Sequence, residues 1–175
     1  MRSTVGISGL QAGEDVNLLT AELARLLLAR REWVCTAESC TGGQLAASLT
    51  DRAGSSAWFA YGWVVYGNAA KTQCLAVDAS IIARHGAVSG EVLQAMLAGA
   101  LQVSGADLAL ASTGIAGPTG GSVDKPVGTV WLGAQHRRLG QRLELQHFSG
   151  ERGEVREKSV LRLLELGITC LNDCT

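Results

Sequence analysis

The stretch WVCTAESCTGGQLAASL, residues 33–49, decides how the rest of the chain is read. Its first part, Trp33-Val34-Cys35-Thr36-Ala37, is short, apolar and rich in β-favouring side chains, which predicts a buried strand. Its last part, Gln44 to Leu49, predicts the start of a helix. Between them one turn holds a carboxylate, two hydroxyls, a thiol and two glycines: Glu38, Ser39, Cys40, Thr41, Gly42 and Gly43. A strand that empties into a turn and then a helix is the repeating unit of an α/β sheet, whose ligands bind beyond the carboxyl ends of the strands. Taken alone, the turn leaves open which of its polar side chains acts and which caps the helix.

Upstream, Leu18, Leu19, Leu23, Leu26 and Leu27 recur at helical spacing, so residues 15–31 are predicted helical with Asp15 as the N-cap. Downstream, Gly54-Ser55-Ser56 breaks the second helix. The aromatic run WFAYGWVVY (58–66) predicts a second strand with a bulge at Gly62, and residues 69–75 a short helix. Ser89 is placed to cap a helix running through Ser104. The run DLALAS (107–112) predicts a buried strand that opens into the glycine-rich loop TGIAGPTGGSVDKP (113–126). Residues 127–135 and 142–148 read as an antiparallel hairpin, and 151–171 as a closing helix with a broad apolar face. Helices alternating with apolar strands predict an α/β fold: a single three-layer domain over residues 1–175, with a mixed, mostly parallel sheet flanked by helices.

Bulk properties exclude several function classes. With 47% hydrophobic residues in 175, the chain is globular rather than disordered. The 15 Lys plus Arg balance 16 Asp plus Glu, so there is no basic footprint for nucleic acid. Apolar runs stop short of the ~20 residues of a membrane span, and the first 17 residues lack the apolar centre of a secretory signal. A cytoplasmic protein is expected. Its five cysteines form no Cys-x-x-Cys pair and read as small buried hydrophobes. The three histidines show no ligand spacing, and no metal or cofactor is expected.

Two glycine-rich loops after buried strands, ESCTGG and TGIAGPTGG, predict one cleft at a sheet edge. Familiar phosphate and penicillin-site patterns fail on inspection. Gly62 and Gly67 are followed by Asn68 rather than the Lys-Ser/Thr of a P-loop. Ser122-Val123-Asp124-Lys125 lies in a Gly/Pro loop rather than on a helix. A third polar cluster, Tyr66-Gly67-Asn68-Ala69-Ala70-Lys71, emerges where the aromatic strand ends. A hydroxyl nucleophile needs a base, and a neutral lysine, alone or paired with tyrosine, serves where histidine is missing. From an ordinary pKa of ~10.4, neutrality near pH 7 needs desolvation or a neighbouring cation; Arg84, Arg152 and Arg156 are the candidates. The alternative is an exposed Lys71 beside a sheet-edge Tyr66.

The blocks TAESCTGG, VVYGNAAK, RHGAVS, TGIAGPTGG with KPVGTVW, and FSGERGEVR follow the order and spacing of the CinA C-terminal domain family. The chain resembles that family from about Val34 to the closing helix. Family proteins that carry a further amino-terminal domain differ from this chain, which is similar to the stand-alone form. That similarity implies hydrolysis of the carboxamide of nicotinamide mononucleotide (NMN) to nicotinic acid mononucleotide and ammonia. Carried over by motif, the nucleophile falls on Ser39 and its partners on Tyr66 and Lys71. Substrate contacts are expected from Glu38, Thr41, Gly42, Gly43, Asn68, Arg84, Thr113, Gly114, Ile115, Ala116, Gly117 and Arg152, with oxyanion donors around Gly42 and Gly43. Glu38 has a second reading, as an acceptor for helix N–H groups. NMN is the expected partner, nucleic acid and membrane are not, and the apolar closing helix and aromatic strand suggest a homodimer. The chain departs from the family at Gly67, where serine is common, and at Ala60-Tyr61, where a charged pair is frequent. Two other readings are a nucleotide-binding module without turnover and an amidase for a different amide.

Overall fold

A computed structural model describes residues 12–172. The elements are α1 (Ala12–Arg30), β1 (Val34–Glu38), α2 (Gln44–Thr50), a 3₁₀ turn (Ser55–Ala57), β2 (Phe59–Val64), α3 (Asn68–Leu75), α4 (Ala79–His85), α5 (Gly90–Ser104), β3 (Leu108–Gly114), β4 (Thr129–His136), β5 (Gly140–His147) and α6 (Arg152–Asn172). The strands form one sheet in the order β2-β1-β3-β4-β5. β1 pairs in parallel with both β2 and β3, whereas β3–β4 and β4–β5 are antiparallel. The expected α/β class, three layers and mixed sheet are all present.

Burial explains the layering. Every residue of β1 is buried, as are the first six of β3, because both strands are covered on two faces. One face packs Val34, Leu108, Leu110, Val130 and Leu132 against the apolar sides of α1, α2 and α6. The other packs Cys35, Ala37, Ala109 and Ala111 against α5, with Leu75 of α3 and Ile82 of α4 beneath its flank. Each fully buried leucine or valine contributes roughly 1.5–3 kcal/mol. Successive crossovers lie on opposite faces, so the carboxyl ends of β1 and β3 open a crevice at the sheet edge.

Several local expectations are corrected. Asp15 lies inside the first turn of α1, which starts at Ala12, and so is not its N-cap. The irregularity in β2 falls between the partners of Val34 and Cys35, where Ala60 is the extra residue, rather than at Gly62. Gly62 instead admits close packing: a Cβ there would meet Thr36 Oγ1 at 3.2 Å and Ala46 Cβ at 3.3 Å. Helix α4 was not anticipated, although Asp78 caps it through the Ser80 amide at 2.8 Å. Ser89 caps α5 as expected, through Val92 N–H. Cys35, Cys40 and Cys170 are buried, but Cys74 is exposed. The leader reading and Cys174 lie outside the described residues.

Candidate active site

β1 delivers Ser39 to the crevice. The strand ends at Glu38, and the chain turns through Ser39–Cys40–Thr41 before α2 begins. Gly42 (φ 60) and Gly43 (φ 91) take left-handed conformations that let the turn close. Ser39 is anchored to β3, its amide donating to the Ser112 carbonyl at 3.0 Å. Thr41 and Ser112 share a hydroxyl–hydroxyl hydrogen bond of 2.8 Å.

Lys71, on α3, is buried with 1% exposure, not solvated. Its Nζ lies 3.2 Å from Ser39 Oγ, 2.9 Å from the Val65 carbonyl and 3.3 Å from the Tyr66 carbonyl. No carboxylate pairs with it among the described residues. Burial without a counter-ion pushes its pKa below the ordinary lysine value. The three oxygens suit both protonation states. A neutral amine donates to the two carbonyls and turns its lone pair to the Ser39 hydroxyl; an ammonium donates to all three. The nearby Cys40 thiol is pushed up to about 11 by burial, so it stays protonated at neutral pH and does not compete as a nucleophile.

The cavity beside this pair measures about 260 Å³ and is lined by Ser39, Cys40, Tyr66, Lys71, Arg152 and the Thr113–Gly117 segment, with Ala87, Val88, Thr119 and Gly120 completing it. Thr113 Oγ1 donates to the Ala87 carbonyl at 2.8 Å, tying the glycine-rich loop to the α4–α5 turn. Arg152 bridges the cavity mouth, donating to the Gly117 carbonyl at 2.8 Å and to Tyr66 Oη at 2.9 Å. The lining carries two basic side chains and no Asp or Glu, so it favours an anionic ligand. Among the described residues, no group of His, Cys, Asp or Glu is clustered to hold a metal.

Of the residues expected from sequence, Ser39 and Lys71 are brought into contact, and Tyr66, Thr113, Gly114, Ile115, Ala116, Gly117 and Arg152 share their cavity. The Tyr66 phenol engages Arg152 rather than Ser39 or Lys71. Glu38, Thr41, Gly42 and Gly43 support the turn from behind the cavity wall. Asn68 lines a separate cleft between α3 and α4, and Arg84 is exposed on α4, donating to Ser80 O. The Gly42 and Gly43 amides are already committed, to Ser39 O at 3.1 Å and Glu38 Oε2 at 3.0 Å, and so are not free to meet an oxyanion. Sequence reasoning missed Ala87 and Val88, although both lie in the RHGAVS block. It also gave no structural task to Arg156. The i, i+4 spacing from Arg152 was the available signal that both face the same side of α6.

Comparison with known proteins follows the same lines. Residues 16–171 match the family model described as CinA C-terminal domain. The nicotinamide-nucleotide amidohydrolase PncC of Enterobacter agglomerans is 46% identical over 150 residues, covering 86% of this chain and 92% of that protein. A CinA-like protein of Mycolicibacterium vanbaalenii is 51% identical over 152 residues; the match covers 87% of this chain but 36% of that longer protein. Among solved structures, the competence/damage inducible protein CihA of Agrobacterium tumefaciens superposes with a TM-score of 0.87 at 38% identity, covering 95% of this chain and 99% of that one.

Proposed function

The chain belongs to the CinA C-terminal domain family, and from that membership and the geometry of the cavity we propose that it is a nicotinamide-nucleotide amidohydrolase, converting NMN to nicotinic acid mononucleotide and ammonia. The observation that carries this reading is the buried Lys71 amine, 3.2 Å from Ser39 Oγ and without a carboxylate partner, at the floor of a cavity with basic lining. A lysine so placed is a base, and the serine beside it is its nucleophile.

Ser39 Oγ attacks the carboxamide carbon while its proton passes to Lys71 Nζ. The tetrahedral intermediate collapses as Lys71 returns that proton to the leaving nitrogen, so ammonia departs and a Ser39 ester remains. Water cleaves the ester to give the carboxylate product and regenerates the serine. Tyr66 aligns Arg152 across the mouth, and Arg152 with the loop amides of Ala116 and Gly117 receives the 5′-phosphate. The apolar side chains of Ala87, Val88 and Ile115 flank the pyridine ring.

Ammonia release from NMN, coupled to a dehydrogenase, tests the reading. Wild type is expected to turn over and Ser39→Ala to be inactive while folded; near-wild-type turnover by Ser39→Ala removes the nucleophile assignment. Lys71→Arg is expected to be nearly as damaging, because a guanidinium is not a base at neutral pH. Nucleotide binding without ammonia release would make the chain a binding module instead.

The residues described form one catalytic module, and it works as a homodimer in the cytoplasm, where pyridine nucleotides are recycled. The β2 edge is its contact surface. Tyr61 and Val64 are exposed there, and Tyr61 stacks on Trp63 at 5.3 Å. The closing helix does not contribute, because its apolar face is spent on α1 and the sheet, and Trp58 is in the core. Light scattering checks the dimer, and Tyr61→Lys with Val64→Lys is expected to dissociate it. Among the described residues no helix is long and apolar enough to cross a membrane.

A further inference from the structure

The turn that carries Ser39 holds buried groups to which the acyl-transfer scheme gives no task. Glu38 is fully buried, yet no cation meets its carboxylate among the described residues. Oε2 accepts from the amides of Gly43 (3.0 Å) and Leu45 (3.1 Å), and Oε1 from Ala46 (2.8 Å). From the other side Arg156 reaches across from α6 and grips the Thr41 carbonyl twice, through Nη2 at 2.8 Å and Nε at 3.2 Å. The turn is thus clamped between an anion and a cation that do not touch each other. Neither side chain lines the cavity.

What the clamp leaves over is informative. The Ser39 and Gly42 amides are paired with carbonyl oxygens. The amides of Cys40 and Thr41, both in buried residues, have no oxygen acceptor among the described residues. Their company is the Cys40 sulfur, a weak acceptor. Buried N–H groups are almost always paired. Two adjacent ones with no oxygen partner, directly after the nucleophile in a turn held from both sides and with Cys40 lining the cavity, are placed for an acceptor that arrives with the substrate.

We infer that Glu38 and Arg156 are positioning residues, holding the Cys40 and Thr41 amides as the donors for the oxyanion that forms when Ser39 attacks. The inference rests on the amide-hydrolysis reading above. It replaces Gly42 and Gly43, whose N–H groups serve the turn itself, and it explains why a buried carboxylate and a half-buried guanidinium are committed to backbone rather than to each other. Nucleophile and donors then ride on one rigid turn, so that loosening the clamp weakens transition-state binding more than substrate binding.

The test uses full-length wild type, Arg156→Met, Arg156→Lys and Glu38→Gln, with two readouts. One is kcat and KM for NMN. The other is the rate at which a fluorophosphonate labels Ser39, followed by intact mass. In that step the Oγ–P bond forms as the P–F bond breaks, fluoride leaves, and the serine proton passes to Lys71; the phosphoryl oxygen makes the same demand on the two amides. Arg156→Met is expected to lower kcat on the order of 100-fold, the scale of one lost oxyanion donor, with KM within about threefold and labelling slowed in parallel. Arg156→Lys recovers part of both rates, since one donor to Thr41 remains. Glu38→Gln follows the same pattern; if it does not fold, the Arg156 pair decides. A folded Arg156→Met that labels at the wild-type rate, or whose loss lies in KM alone, overturns the inference. So does a wild type that is not labelled at Ser39. A wild type that labels but releases no ammonia from NMN sinks the substrate reading, and the variants' labelling rates still decide the positioning.

Discussion

Strand β1 starts beside one buried carboxylate and ends on another, and the two are accommodated in opposite ways. At its amino end Glu32, 5% exposed, meets a guanidinium and an imidazole: Arg138 Nη2 lies 2.6 Å from one oxygen and His136 Nε2 3.1 Å from the other. The Arg138 amide donates to His136 Nδ1 at 3.1 Å, which leaves Nε2 to carry the ring's hydrogen toward Glu32. At the carboxyl end Glu38 meets only backbone amides, and the buried amine nearby, Lys71, meets only neutral oxygens. One edge of the sheet is matched for stability. The other keeps a carboxylate and an amine buried and apart, an arrangement of the kind that clusters at functional sites.

The sharpest way to break this contrast is to remove the Ser39–Lys71 contact. Ser39→Ala is expected to lower kcat for NMN by roughly 10⁴-fold or more, and Lys71→Met by about 10³-fold or more, with the double variant no worse than the serine variant alone because the two act as a unit. Ser39→Ala should unfold in urea near the wild-type midpoint. A multiplicative double variant would show that they act separately.

The complementary change is at the opposite edge. Glu32→Ala leaves the buried His136 Nε2–H without its acceptor, which costs about 1–3 kcal/mol, while the solvent-exposed Arg138 guanidinium adds little. Denaturant melts should show that loss while kcat of the folded enzyme stays within about twofold of wild type. If Glu32→Ala slows turnover at full stability, the division between the two edges is wrong.

That division was only partly legible in the sequence. The α/β layering followed from period and composition, since β1 and β3 are continuous apolar runs and α5 has a clear cap. Helix α4 escaped because seven residues with a single buried apolar position, Ile82, carry little periodicity, although Asp78 was a readable cap. Ser39 and Lys71 were reached through motif resemblance, but the burial of Lys71 was not legible. It comes from the Val65 and Tyr66 carbonyls folding back over α3, and a lysine in NAAKTQCL gives no sign of that by itself. Glu38 had two readings and the structure favours the second, capping N–H groups five to eight residues downstream, which also secures the nucleophile turn. Glycine marks where a backbone can approach a ligand, not whether its N–H is free, and the Gly42 and Gly43 amides are already used within the turn.

A finer test concerns substrate capture rather than chemistry. Arg152→Met removes the guanidinium that spans Tyr66 Oη and the Gly117 carbonyl. A hydrogen bond to a charged partner contributes roughly 1.5–3 kcal/mol, so KM for NMN should rise about tenfold or more with kcat changed less than KM. Plain nicotinamide, which lacks the phosphate, should show no such penalty. An equal penalty for both substrates would assign Arg152 to the carboxamide end of the cavity.

The smallest effect is also the most direct reading of the carboxyl edge. In the folded chain the Lys71 amine sits below its ordinary value of 10.5, lowered by burial, whereas unfolding returns it to water. Between the lowered value and 10.5 the unfolded chain binds more protons, so stability conferred at this site rises with pH and levels off above that range, with a slope of at most about 1.4 kcal/mol per pH unit. Cys35 and Cys40, both raised to about 11 from 9.0 by burial, act with the opposite sign above pH 9. Measuring the difference between wild type and Lys71→Met removes their share. Urea melts carried up to pH 10.5 should therefore show wild type gaining on Lys71→Met, and the acid limb of the kcat profile should lie below the ordinary lysine range. Parallel stability curves would mean that Lys71 is as readily protonated folded as unfolded, and the carboxyl edge of β1 would then hold an ordinary ammonium rather than a base.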